Sequence, residues 1–317
     1  MPSSAFDSLR NAFLNNSLDP RFGLNIIRTQ FNSLALALKP SDEAIYEDIT
    51  INSDIAELSV NARWTDVLES TMSKVIFFIH GGCFVLGKLD IYSDFTARLA
   101  KFAQTRVLAV DYSLSPEVPY PNALNQIAVA YKYLLDKEFD PDSIIFLGSD
   151  TGANLAISSC LNFRALGLPL PKALICISPW TDLSLTGKSI RNNANIDPVL
   201  NIDLLRFCAD CYVGAPDHPH IFFSSSFDRC DPFVSPFYAD LTGLPPLLVM
   251  VGEAEILLDD AVRFSNKAEF YGIDSTLVIA EKMIHCWPLF APILPEGQQA
   301  VEYIGKYAQT QLKLSQE

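Results

Sequence analysis

Four short stretches hold the residue types from which nucleophilic catalysis is built. His80-Gly81-Gly82-Cys83-Phe84 comes directly after an apolar run, Val75–Ile79. Glycines at such a place let the backbone approach a ligand closely and turn its amides toward developing negative charge. Gly148-Ser149-Asp150-Thr151-Gly152 follows a second apolar run, Ile144–Leu147, and precedes a helix-competent stretch, Ala153–Ala165. Strand, tight turn, helix is the setting of a nucleophile elbow, where flanking glycines relieve crowding around a strained central residue. That central residue is Asp150, where serine is expected; Ser149 is one place too early, since Leu147 and Thr151 stand two positions to either side of it. Glu255 lies just after the run Leu247–Val251, and His285 just after Thr276–Ile279. The chain has four histidines, at 80, 218, 220 and 285, and two of them stand in the two motifs that need one. A carboxylate-oriented imidazole at His285 would serve as general base.

The elements that must position these residues alternate. Besides the runs above, Val107–Val110 and Leu174–Ile177 are short, β-branched and apolar, as strands buried on both faces are. Helix-period stretches lie between most of them: Thr96–Phe102, Ala123–Leu135, Leu155–Ala165 and Asp260–Tyr271. The alternation predicts an α/β fold with a mostly parallel sheet and helices on both faces. Two segments fall outside it. In residues 1–45, Phe6, Leu9, Phe13 and Leu14 share one helical face, as do Ile27, Phe31, Leu34 and Leu38. The second, 184–228, interrupts the pattern after a strand, where insertions often cover a site.

These motifs, in the order elbow, acid, histidine, resemble the α/β-hydrolases, and the chain from about residue 64 onward resembles their hormone-sensitive-lipase branch. Val110-Asp111-Tyr112-Ser113-Leu114-Ser115-Pro116-Glu117 is similar to the family's DYRLAPE block, and Tyr120-Pro121-Asn122-Ala123-Leu124 to the following FPAAL. Ser178-Pro179-Trp180-Thr181-Asp182-Leu183, Asp231-Pro232-Phe233-Val234-Ser235-Pro236, Gly243-Leu244-Pro245-Pro246 and His285-Cys286-Trp287-Pro288-Leu289-Phe290 are also family-like. The resemblance implies an eight-stranded sheet in a single domain, 1–317, with a helical cap contributed by 1–45 and 184–228. It implies a carboxylesterase or lipase acting on short or medium acyl esters, with no metal or organic cofactor. The oxyanion donors would be the amides of Gly82, Cys83 and Thr151, in a loop with His80 and Gly81, and Glu255 would be the acid. Homodimers are frequent in the family.

The chain departs from the family pattern in three ways. Cys83 stands for the third glycine of HGGG, the family's GDSAGG reads Gly148-Ser149-Asp150-Thr151-Gly152-Ala153, and the nucleophile position therefore holds a carboxylate. An aspartate attacking an ester would have to expel an alkoxide and leave a mixed anhydride, which would mostly revert because carboxylate is the better leaving group. Standard serine esterase activity should therefore be weak or absent, and three readings follow: a degenerate esterase-fold protein that binds a ligand or is only weakly active, a hydrolase active on esters by another route, or an Asp-nucleophile hydrolase. The first includes a non-catalytic ligand-binding relative. The plant gibberellin receptor, which resembles this family, illustrates the first. Epoxide hydrolases and haloalkane dehalogenases of the same superfold illustrate the third, with Asp150, His285 and Glu255 as the reacting set.

Composition excludes other classes. With 37 acidic and 23 basic residues the net charge is −14, which argues against nucleic acid and anionic lipid as partners. The first residues lack the pattern of a signal peptide, and no apolar run reaches the length of a membrane span. Seven irregularly spaced cysteines fit a reducing, cytoplasmic setting. Cys208 and Cys211 form a CxxC with His218 and His220 following, but the cysteines sit in an apolar helical pattern that reads as core rather than zinc site. Cys83 and Cys286 adjoin the predicted site without occupying the elbow. Trp180 and Trp287 read as buried aromatics; Asp259 and Asp260 are alternatives for the acid, but they come a turn later, where carboxylates suit a helix N-terminus, so Glu255 is preferred.

Overall fold

The computed structural model describes residues 2–53, 57–215 and 227–313. An eight-stranded sheet runs through it in the order β1-β2-β4-β3-β5-β6-β7-β8. The strands are β1 Ile45–Asn52, β2 Ser59–Asp66, β3 Thr71–Ile79, β4 Thr105–Asp111, β5 Ile144–Ser149, β6 Ala173–Ile177, β7 Leu247–Gly252 and β8 Ser275–Ala280. Only the β1/β2 and β2/β4 pairs are antiparallel; the others are parallel. The six apolar runs in the sequence lie in β3 to β8. β1 and β2 went unread, because strands at a sheet's antiparallel edge alternate polar with apolar residues rather than forming an apolar run.

The helices are α1 Ser4–Asn15, α2 Leu24–Asn32, α3 Leu34–Ala37, α4 Ser93–Ala103, α5 Asn122–Asp136, α6 Thr151–Ala165, α7 Ser189–Asn192, α8 Ile202–Val213, α9 Leu258–Phe270 and α10 Pro295–Leu312. Side-chain alternation along β3 feeds two cores. Phe77 joins Tyr131, Phe146 and Phe163 on the α5/α6 face, while Ile76 and Phe78 join Phe95, Leu99, Val301 and Ile304 on the α4/α10 face. Burying both faces leaves functional groups only the strand ends.

α6 starts at that edge, and Gly152 in its first turn explains how closely it can approach. A Cβ there would lie 2.0 Å from the Ile79 carbonyl oxygen, so only glycine lets the helix meet the end of β3. In α1, Phe6 is buried, but Leu14 is 49% exposed, which corrects the expectation that it shares the packed face. α1 to α3 lie beside the C-terminal ends of the strands, where Phe13, Phe31 and Leu34 line the same pocket as Gly82, Asp150 and His285.

Candidate active site

Asp150 occupies the turn between β5 and α6 with φ 53° and ψ −121°. A non-glycine residue held there stores on the order of 1–3 kcal/mol of strain, which surrounding structure must enforce. The Asp150 amide donates to the Ile177 carbonyl at 2.8 Å, tying the turn to β6. Cys83, Ser178 and Cys286 also have positive φ, so left-handed backbone gathers around one point. The elbow expected from the sequence is formed, with Asp150 at its tip and the Ser149 side chain fully buried one position before.

The Asp150 carboxylate has two different oxygens. Oδ2 accepts from the Gly82 amide at 2.9 Å and the Cys83 amide at 2.8 Å, and lies 3.4 Å from the Thr151 hydroxyl. Two converging amides are the donor pair an oxyanion would use, and here the protein's own carboxylate takes them. Gly82 aims its amide from φ 121°, where an added Cβ would fall 2.2 Å from the Leu86 carbonyl oxygen. Thr151 Oγ1 also accepts from the Phe84 amide at 3.2 Å. Oδ1 is buried and has no hydrogen-bond partner among the described residues. It stands 3.7 Å from His285 Nε2, beyond hydrogen-bond length.

The acid–base half is tightly joined. Glu255, fully buried, accepts from His285 Nδ1 at 2.9 Å through Oε2. Its Oε1 accepts from the Ser178 hydroxyl at 2.7 Å and the Gly252 amide at 2.5 Å. Ser178 Oγ in turn accepts from the Cys286 amide at 3.0 Å, closing a loop from acid to histidine turn. Sequence reasoning placed Ser178 in a family-like block without a role; its position directly after β6, at the same strand edge as the elbow, was the available signal. Asp197 was also missed. Its carboxylate accepts from the Ile256 amide at 2.8 Å and from the Val199 and Leu200 amides at 2.9 and 3.0 Å. It thereby ties the 184–228 segment to the residue after Glu255, and burial raises its pKa to about 6.

Burial works against a charged imidazole at His285, yet contacts with Cys286 and with the Glu255 carboxylate outweigh it and hold the group well above its ordinary pKa. Cys286 Sγ lies 3.4 Å from His285 Nε2, and burial pushes that thiol up. His80 is fully buried, stacked on Tyr112 with centroids 4.3 Å apart, and burial lowers it to about 4. Its Nδ1 contacts the Gly81 carbonyl at 2.7 Å, so it braces the loop rather than facing the pocket.

The remaining candidates fall outside this cluster. Asp259 Oδ2 accepts from the Ser189 amide at 3.1 Å, and Asp260 Oδ2 from the Thr181 and Asp182 amides at 2.9 Å each. Trp180 and Trp287 are buried. Cys208 and Cys211 are buried along α8 with Leu204 and Leu205, while His218 and His220 lie outside the described residues. Among the described residues no cluster could hold a metal ion, and no helix is long and apolar enough to cross a membrane.

A mostly parallel sheet carrying a strand–elbow–helix, an amide pair facing it, and an acid–histidine pair on the last two strands defines an α/β-hydrolase. The family described as alpha/beta hydrolase fold matches residues 76–289. An acetyl-hydrolase of Streptomyces hygroscopicus is 35% identical over 237 residues, covering 75% of this chain and 76% of that one. An esterase of Acinetobacter venetianus is 38% identical over 240 residues, covering 76% of each. A crystal structure of an esterase from the bacterial hormone-sensitive lipase family aligns with TM-score 0.89 at 33% identity, over 98% of this chain and 99% of that one. The chain belongs to the α/β-hydrolase family, and within it to the carboxylesterase/lipase type represented by the hormone-sensitive-lipase branch.

Proposed function

We propose that this chain keeps the esterase pocket for small acyl esters or other small apolar ligands, and that Asp150 silences serine-type ester hydrolysis in it. One observation carries the reading: Oδ2 of Asp150 lies on the Gly82 and Cys83 amides. An ester carbonyl entering the pocket would find its donors taken, and the group facing it would be an anion that cannot form a productive acyl-enzyme. In this reading Glu255 orients His285, residues 1–45 and 184–228 form a cap within one 1–317 domain, and catalysis on esters is residual.

Replacing Asp150 with serine tests this. Asp150→Ser returns a nucleophile to the elbow and frees the two amides, so turnover of p-nitrophenyl acetate and butyrate rises by at least about 10³-fold, the scale on which a triad nucleophile counts. Wild-type turnover at ordinary esterase rates would overturn the proposal.

A second reading is favoured by the unpartnered Oδ1, which borders the pocket while Oδ2 is anchored. Such a carboxylate could attack a saturated carbon of an epoxide or haloalkane. An Oδ1–carbon bond would form as the carbon–oxygen or carbon–halogen bond breaks, its electron pair leaving with the alkoxide or halide. Water, deprotonated by His285, would then cleave the resulting enzyme ester at its carbonyl. An alkyl adduct on Asp150 found by mass spectrometry during epoxide turnover would establish it; turnover without an adduct would exclude it.

A further inference from the structure

The exchange of serine for aspartate does more than remove a nucleophile; it reverses the hydrogen-bonding sense of the pocket. In a pocket with free Gly82 and Cys83 amides, a ligand must supply an acceptor. Here both amides are satisfied at 2.9 and 2.8 Å, and two buried polar atoms at the elbow have no partner among the described residues: the Ser149 hydroxyl and, at the tip, the acceptor Oδ1 of Asp150. A buried polar atom left unpaired costs on the order of 1–3 kcal/mol, and a ligand that supplies a donor recovers it. The surroundings are acidic: two carboxyl groups, of Asp150 and Glu255, face one imidazole, that of His285.

The space that Asp150 borders is small and lined almost wholly by carbon, with a volume of about 60 Å³, room for a small polar group. It shares Phe13, Phe31, Leu34, Val199 and Phe290 with a neighbouring apolar pocket of about 600 Å³ between the N-terminal helices. A head group fits the first space and an aliphatic chain the second.

We propose that this site binds an apolar molecule ending in a hydrogen-bond donor, a primary ammonium or an alcohol, with the donor on Asp150 Oδ1 and the chain among the N-terminal helices. The proposal rests on the silenced-esterase reading and names its ligand class. Two carboxyl groups against one imidazole rank the ammonium first.

Titration calorimetry with four probes of similar length on the wild-type protein tests it: hexylammonium, 1-hexanol, hexanoate and ethyl butanoate. Hexylammonium binds most tightly, hexanol about tenfold more weakly, and the ester and hexanoate at least a further tenfold more weakly. Hexanol binding at or above hexylammonium would keep the donor and identify it as hydroxyl. Asp150→Asn, which keeps the shape and removes the charge, weakens hexylammonium at least tenfold. Ester or hexanoate affinity equal to that of both donors would overturn the proposal, as would an unchanged hexylammonium affinity in Asp150→Asn. The four-ligand ranking needs no variant, so it holds even if a substitution fails to fold. Ester turnover measured on the same wild-type sample separates the two failures. Turnover defeats the silenced-esterase reading, whereas absent turnover with the wrong ranking defeats only the ligand class.

Discussion

The two halves of the site differ in how completely they keep esterase geometry. On the β7/β8 side, Glu255, His285 and Ser178 form a closed chain of hydrogen bonds between 2.7 and 3.0 Å. On the β3/β5 side the elbow, the glycine loop and the amide pair are all in place, but a carboxylate fills the position they were shaped around. The scaffold of each half is held by its own backbone bonds: the Glu255 amide to the Gly252 carbonyl in one, the Asp150 amide to the Ile177 carbonyl in the other. On the proposed reading, one residue inverts the chemistry of one half, and the other half's hydrogen bonds do not involve it.

If the halves are that independent, the acid–base half is catalytically competent once a serine returns. In an Asp150→Ser background, Glu255→Gln then lowers kcat for p-nitrophenyl butyrate by about 10³–10⁴-fold, the scale of losing the acid that fixes the histidine tautomer. Measured on both backgrounds, the same substitution leaves the residual wild-type rate nearly unchanged. Equal losses in the two backgrounds would mean that His285 and Glu255 already work with Asp150, and the contrast between the halves would fail.

Ser178 gives a finer test. Its hydroxyl donates to a buried carboxylate and accepts from the Cys286 amide. Ser178→Ala in the Asp150→Ser background removes a charge-assisted bond of about 1.5 kcal/mol and lowers kcat about tenfold, with KM little changed. A KM effect without a kcat effect would place Ser178 in ligand binding rather than in orienting the acid.

The same contrast explains what could be read before the fold was known. Asp150, Glu255 and His285 were legible because each follows an apolar run directly, and a parallel sheet puts all such ends on one edge. Gly82 and Cys83 were placed by the loop motif, and both amides reach Asp150. Thr151 is read from the sequence as an amide donor; its hydroxyl lies 3.4 Å from the Asp150 carboxylate besides, through a side-chain torsion that spacing does not encode. Ser178 joins the Glu255 carboxylate to the Cys286 amide, and Asp197 reaches the Ile256 amide, partners far away in the chain, so their roles are set by the fold and only the place of Ser178 after β6 gave a signal. The unequal oxygens of Asp150 are likewise a product of the fold: sequence shows a carboxylate, and only packing decides which oxygen is satisfied.

Asp260 offers the smallest and most discriminating comparison, because it repeats the Asp150 arrangement in a different electrostatic setting. Both are buried carboxylates with one oxygen on two backbone amides. Asp260 additionally faces Asp182, and although Arg263 lies 3.4 Å from its Oδ1, burial and Asp182 raise its pKa to about 7. The ordinary value is 3.8. Between the two values the folded chain holds a proton that the unfolded chain has released, so stability falls as pH rises through this window and levels off above it. A single group can change stability by at most about 1.4 kcal/mol per pH unit. Asp260→Asn removes that slope. Its urea-unfolding free energy, measured against wild type at pH 5 and pH 8, therefore improves relative to wild type at the higher pH. A difference between the two proteins that does not change with pH would show that Arg263 and the two amides hold Asp260 ionised throughout.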